Sequence, residues 1–242
     1  MGGESLTPPR VSIVCGPIGN LGDITYRAVE ALRQADLIAC EDTRHSRRLL
    51  DHYEITGKAL VSLHEHNEES RSRELVDRIL SGVRVALLTD AGTPCISDPG
   101  YRFVNACVAA KIPVEVLPGP SALTTALAGS ALPPDAFYFG GFLPVKAGRR
   151  EKKLAEALER AETTIHFESP HRIGRSLGAL AELDPDRPVC VAREMTKRYE
   201  TFHRGSASEL ADTFRTQPAK GEIVLLIRGL GQREKKRREP SR

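Results

Sequence analysis

Along residues 10–130 of this chain, apolar runs alternate with amphipathic stretches. VSIVC (11–15), DLIAC (36–40), VRVALLTD (83–90) and IPVEVLPG (112–119) are nearly continuous in apolar residues. Such runs suit strands covered on both faces, because neither set of alternating side chains meets water. Between them the period becomes helical. Ile24, Ala28, Ala31, Leu32 and Ala35 share one face of a helix over 24–35. Leu75, Val76, Ile79 and Leu80 do the same over 68–80, with Gly82 as a stop. This alternation predicts an α/β lobe built on a largely parallel sheet.

Leu132-Pro133-Pro134-Asp135 ends the Ala-rich helix 121–131, since two prolines cannot continue it. Beyond it come FYFGGFL, a charged helix over 148–161, TTIHFES, a helix over 171–183, PVCVAREMT, KRYETFHRG, a helix over 207–215 and EIVLLIRG. Several of these strands follow one another too closely for crossover helices, which predicts a mixed sheet. The expected organisation is a mobile leader (1–10), an N-terminal lobe (11–131), a C-terminal lobe (136–228) and a basic, disordered tail (229–242). No internal repeat is evident.

At 242 residues the chain can bury a substantial core. No apolar run approaches the ~20 residues that cross a bilayer, and MGGESLTPPR has no apolar signal region. The expected compartment is therefore the cytoplasm, with no membrane partner. Five scattered cysteines, none in a CxxC pair, point to neither a disulfide framework nor a zinc site. A net charge of +3 is too small to argue for nucleic acid. The runs Arg149–Lys153 and Arg233–Arg238 are locally basic, although either alone reads as a solvated face.

Ligands of open α/β sheets bind beyond the carboxyl ends of the strands. The first strand is followed there by Gly16-Pro-Ile-Gly19-Asn-Leu-Gly22-Asp23, which is not GxGxxG and is compatible with a plain tight turn. After the second comes Glu41-Asp42-Thr43-Arg44-His45, whose acids suit either ribose hydroxyls or a helix cap. The third leads into Thr89–Gly100, twelve residues with two Asp, two Gly and two Pro, more than a connection requires. The fourth leads into Pro118-Gly-Pro-Ser121-Ala122 and a helix start. Rich loops on one sheet edge make a ligand cleft, but do not say for what.

Eight strings carry a resemblance: GPIGNLGDIT (16–25), EDTRHSRRLL (41–50), LHEHNE (63–68), TDAGTPCISDPG (89–100), PGPSA (118–122), GFLP (141–144), FESPHR (167–172) and AREMTKRYE (192–200). In this order, over residues 11 to about 228, they resemble the ribosomal RNA small subunit methyltransferase I family of the tetrapyrrole-methylase superfamily. The resemblance implies two α/β lobes with the cofactor cleft between them, a homodimer, and S-adenosylmethionine-dependent 2′-O-methylation of a cytidine in 16S rRNA of the small ribosomal subunit. Carried over by position, the donor contacts are Asp90, Ala91, Gly92, Ile96, Ser121 and Ala122, with Ser169, Ala192 and Arg193 from the second lobe. Pro17 and Gly19 would line the floor near the methyl group. Two departures stand out. Cys15-Gly16-Pro17 replaces the usual Pro-Thr-Pro, and a basic tail stands where many relatives carry a small helical domain.

Methylating a hydroxyl needs a proton acceptor, for which Asp42 and Glu168, and less readily His66, are the candidates. His64 and His66 alternate as metal ligands would on a strand, but no third ligand has recognisable spacing, so no metal is expected. Arg172 is open between a donor or RNA contact and a structural role. Phosphate contacts fall to Arg44, Arg47 and Arg48 and to Arg149, Arg150, Lys152 and Lys153. With 5% aromatic residues and no Trp, shape and backbone reading should outweigh base stacking. The rivals are a tetrapyrrole C-methyltransferase of the same fold, a nicotinamide oxidoreductase using Glu41, and a non-catalytic RNA-binding or ribosome assembly protein.

Overall fold

The computed structural model describes residues 11–231; the expected leader (1–10) and the charged run after Gly231 lie outside it. The chain divides after Ser121 into two compact units. The first contains β1 (Val11–Val14), α1 (Tyr26–Gln34), β2 (Leu37–Cys40), α2 (Thr43–His52), β3 (Ala59–Ser62), α3 (Glu68–Leu80), β4 (Val85–Leu88), α4 (Tyr101–Ala109) and β5 (Val114–Leu117). Its five strands are all parallel, in the order β3-β2-β4-β1-β5.

The unbroken apolar runs have a direct cause. Alternate residues of each strand enter different cores. Val14, Ile38, Cys40, Ala86 and Leu88 pack with Ala28, Leu32, Leu49 and Leu50 of α1 and α2. Ile13, Leu37, Ala39, Val85 and Leu87 pack with Leu75, Ile79, Phe103 and Cys107 of α3 and α4. The edge strand β3 has no such signature in the sequence, and its four residues are only partly covered.

The second unit contains α5 (Ala122–Ser130), β6 (Phe137–Phe142), α6 (Ala147–Leu158), β7 (Thr163–Glu168), α7 (Ile173–Leu183), β8 (Pro188–Arg193), β9 (Thr201–Ser206), α8 (Ala207–Thr216) and β10 (Ile223–Ile227). Its strands run in the order β6-β7-β10-β8-β9. β6 and β7 are parallel and the other neighbours antiparallel, the mixed sheet expected. The helix α5 lies on this sheet: Ala126 and Leu127 pack with Ile165, Cys190, Ala192, Val224 and Leu226. The contact boundary therefore falls at 121/122, ten residues before the lobe end at 131 expected from the sequence. α6, α7 and α8 cover the other face through Leu154, Leu158, Leu177, Leu180, Leu210 and Phe214. A capping box between Ser206 and Glu209 starts α8. Among the described residues no helix is long and apolar enough to cross a membrane.

His166, on β7, is fully buried, and neither ring nitrogen has a hydrogen-bond partner. Burial pushes its pKa down to about 4 from 6.5, with Lys153 and Arg160 adding to the effect and the Gly141 backbone opposing it. The unfolded chain therefore binds a proton near pH 6.5 that the folded chain refuses until about pH 4. Stability should fall across that window by roughly 3 kcal/mol, from ~1.4 kcal/mol per pKa unit. Urea unfolding at stepped pH measures this, and His166→Leu should flatten the dependence.

Candidate active site

At the carboxyl edge of the first sheet, backbone bonds hold the loops together. Gly16 N–H donates to the Gly92 carbonyl at 2.9 Å and Gly92 N–H returns a bond to Gly16 at 3.1 Å. This ties the loop after β1 to the loop after β4. The Thr93 hydroxyl reaches the Pro120 carbonyl at 3.4 Å, bringing in the loop after β5. Pro17, Gly19, Asp90, Ala91, Gly92, Ile96 and Ser121 thus all lie on loops leaving one edge of this sheet, as the sequence led us to expect.

The 89–100 loop takes unusual backbone conformations, with Cys95 at φ 71° and Ser97 at φ 63°. Non-glycine residues adopt this region only where their surroundings impose it. The end of this loop is held by Glu68, buried at the start of α3. Its Oε1 accepts from Gly100 N–H and from Arg102 N–H, both at 2.8 Å. The carboxylate so caps α4, whose N-cap residue, Gly100, has no side chain to do it. Gly100 has φ 130°, and a Cβ there would come within 2.7 Å of Leu87 Cδ2. Ile96 remains 42% exposed on the loop.

The acidic groups beside these loops differ sharply. Asp42 caps α2, accepting from Arg44 N–H at 2.8 Å, and its carboxylate pairs with the Arg44 guanidinium at 3.1 Å. The Arg44 bonds pull its pKa to about 2. The helix-cap role open to it from sequence is thus present in the fold. Asp98 is half-buried. Burial, then the charges of Glu41 and Asp90, push it up to about 7. Glu41 is raised too, mainly by burial and by Asp90, with His64 opposing. Asp90 Oδ1 accepts from Asp42 N–H at 3.2 Å.

Glu168 is engaged as well. It is buried at the end of β7, where Oε1 accepts from Ser169 N–H at 2.7 Å and from Arg172 Nε at 2.8 Å, and Oε2 accepts from the Ser176 hydroxyl at 2.5 Å. A carboxylate engaged in this way holds the start of α7 and has no free face for a substrate proton. Arg172 is its structural partner. Among the expected RNA contacts, Arg44, Arg47 and Arg48 are exposed on α2, Arg149 and Lys152 are exposed on α6, and Lys153 is half-buried near the Tyr138 hydroxyl. Arg150 departs from that set. It is buried and donates to the Val145 carbonyl at 3.0 Å, because position 150 falls on the inward face of α6.

In the second unit, Glu168 and Arg193 both lie opposite Ile223, so the ends of β7 and β8 reach the same sheet edge. Ser169 follows at that edge and Ala192 is buried one residue before it. The Arg193 guanidinium bonds Thr201 Oγ1 and the Tyr199 and Lys220 carbonyls at 3.0–3.3 Å, so it is committed to fixing the adjoining loops. Ala122 opens α5. His64 and His66 sit in the turn before α3 rather than on a strand, and no group of three or more His, Cys, Asp and Glu among the described residues could hold a metal.

The family model described as Tetrapyrrole (Corrin/Porphyrin) Methylases matches residues 10–211. The chain belongs to that family. The ribosomal RNA small subunit methyltransferase I of Vibrio cholerae is 48% identical to this methylase over 224 residues, covering 91% of this chain and 77% of its own. The protein of the same name from Hydrogenobaculum sp. is 43% identical over 219 residues, 90% of this chain and 95% of its own. Among solved structures, a uroporphyrin-III C-methyl transferase from Thermus thermophilus complexed with S-adenyl homocysteine has a TM-score of 0.63. It is 18% identical and covers 90% of this chain and 97% of its own, which shows a shared fold.

Sequence reasoning missed Asp98 and Glu68 in this methylase. Both lie inside quoted strings, but only the folded loop reveals that one is desolvated beside other acids and the other caps a distant helix. Glu68→Ala should lower stability by about 2–3 kcal/mol, because two amides lose a charged acceptor. Glu68→Gln, whose carbonyl can still accept both, should recover most of it. Urea unfolding of the two variants tests the contrast.

Proposed function

We propose that this methylase transfers a methyl group from S-adenosylmethionine to the 2′-hydroxyl of a cytidine in 16S rRNA, acting in the cytoplasm as a homodimer. The observation that carries the reading is 43–48% identity, across about nine-tenths of the chain, to proteins named ribosomal RNA small subunit methyltransferase I. A tetrapyrrole substrate is favoured by the description of the family model and by structural likeness at 18–22% identity, but the latter speaks for the fold alone, and the relatives at 43–48% identity are named for rRNA. A non-catalytic role in RNA binding or ribosome assembly would keep the fold without methyl transfer.

The first unit's loops suit the donor chemically. They offer main-chain groups around Gly92, an exposed apolar side chain at Ile96 and a rim of carboxylates at Glu41, Asp90 and Asp98. That combination fits a nucleoside bearing a cationic sulfonium. Pro17, Gly19, Asp90, Ala91, Gly92 and Ile96 would hold it, with Ser121, Ala122, Ser169 and Ala192 as further contacts and Arg193 acting through the loops it fixes. When bound, the donor supplies an electrophilic methyl group. The protein's own part is alignment, which in well-oriented systems contributes on the order of 7–11 kcal/mol, and removal of the hydroxyl proton, typically ~10²–10⁴-fold. Asp98, pushed up to about 7, is the acceptor best matched to neutral pH. Arg44, Arg47, Arg48, Arg149, Lys152 and Lys153 would contact rRNA phosphates.

Label transfer from the donor to small ribosomal subunits lacking the modification tests the reading. Asp42→Asn should stay within a few-fold of wild type, since asparagine caps helices as well. Asp98→Asn should lose roughly 10²-fold or more. A base raised to about 7 is active only once deprotonated, so the wild-type rate should climb with pH through about 7 and then level. Asp98→Asn should lack that limb; an unchanged limb would remove Asp98 from the mechanism.

A further inference from the structure

The register of β6 against β7 shifts between Phe139 and Phe142. Gly140 lies so close to the buried His166 imidazole that a Cβ would collide with it, and Gly141 takes φ 67°. The irregularity turns the strand end, and such bulges commonly re-aim a side chain. Here Phe142 is left 61% exposed and Val145 74% exposed.

These residues are held firmly. Leu143 is buried and its N–H donates to the Phe167 carbonyl at 3.1 Å. The buried Arg150 holds the Val145 carbonyl at 3.0 Å. The Phe142 ring meets Phe167 edge-on at 5.3 Å, which leaves the rest of the ring to solvent. Close after them in the chain come Lys146, the N-cap of α6, and Arg149 and Lys152 in its first turns, all exposed and spaced three apart. None of them takes part in the ion pairs between described residues.

We propose that Phe142 and Val145, with Lys146 and Arg149, form a docking surface for single-stranded RNA, in which a nucleobase stacks on Phe142 and adjacent phosphates sit on the two cations. An ordered, exposed aromatic ring beside unpaired cations is the combination that binds single strands. The exposed cations favour a polyanion over a second copy of this chain, whose net charge is itself positive. The surface occupies the strand end beside Phe167 and Glu168, the edge from which Ser169 emerges. The proposal rests on the rRNA-methylation reading and adds base stacking to it, where sequence composition led us to expect little.

The test measures binding of the full chain to small-subunit rRNA lacking the modification, with donor affinity and sedimentation alongside. Phe142→Ala should weaken RNA binding roughly 5- to 150-fold, the range for one lost base stack, with donor affinity and sedimentation unchanged. Phe142→Tyr should restore it. Lys146→Ala with Arg149→Ala should make the dependence of log affinity on log salt shallower by about 1.4, at ~0.7 per single-strand phosphate contact. RNA affinity within two-fold of wild type for Phe142→Ala would overturn the proposal while leaving the rRNA reading intact. A change in sedimentation would overturn it in favour of a contact between copies. A wild-type chain that binds no rRNA would take both readings down together.

Discussion

Glu68 reaches from the first turn of α3 to the start of α4, and its Oε1 accepts the amides of Gly100 and Arg102. The loop 89–100 is suspended between that carboxylate and the end of β4, while the Gly16–Gly92 backbone pair ties its near end to the loop after β1. Within this frame Cys95 and Ser97 stay in left-handed conformations that are otherwise costly. The candidate site of the first unit thus depends on satisfying backbone groups that a long loop would otherwise leave open.

The carboxylates show how surroundings assign roles to chemically similar groups. Asp42 lies between a strand and a helix and Glu168 ends a strand, and from sequence either could serve as a base. In the fold Asp42 caps α2 beside Arg44, and Glu168 is enclosed by Ser169, Arg172 and Ser176. Donors already occupy both carboxylates, and at Asp42 the Arg44 bonds also hold the pKa down. Asp98 has burial and neighbouring negative charge acting on it instead.

The sequence revealed the architecture where packing leaves a periodic mark. Continuous apolar runs identified β1, β2 and β4, which are covered on both faces, and also the edge strand β5, where Val116 is exposed; the rapid succession of strands after residue 136 identified the mixed sheet. It was less informative where packing is one-sided or tertiary. The edge strand β3 has no apolar run, and α5 belongs with the second sheet because of contacts with Ile165, Ala192 and Leu226 that lie far along the chain. The loops after β1, β4 and β5 were legible as strings rich in Gly and Pro. The burial of Arg150 depended on which face of α6 turns inward, and the exposure of Phe142 on a bulge set by His166 and Gly141. Neither follows from composition.

Nucleoside analysis of 16S rRNA tests the account most directly. Small subunits lacking the modification would be incubated with the purified chain and S-adenosylmethionine, and the rRNA digested for mass spectrometry. The account predicts one new ribose-methylated cytidine per subunit. Donor binding with no methyl group in the rRNA, or a methyl group on a base instead of a ribose, would contradict it.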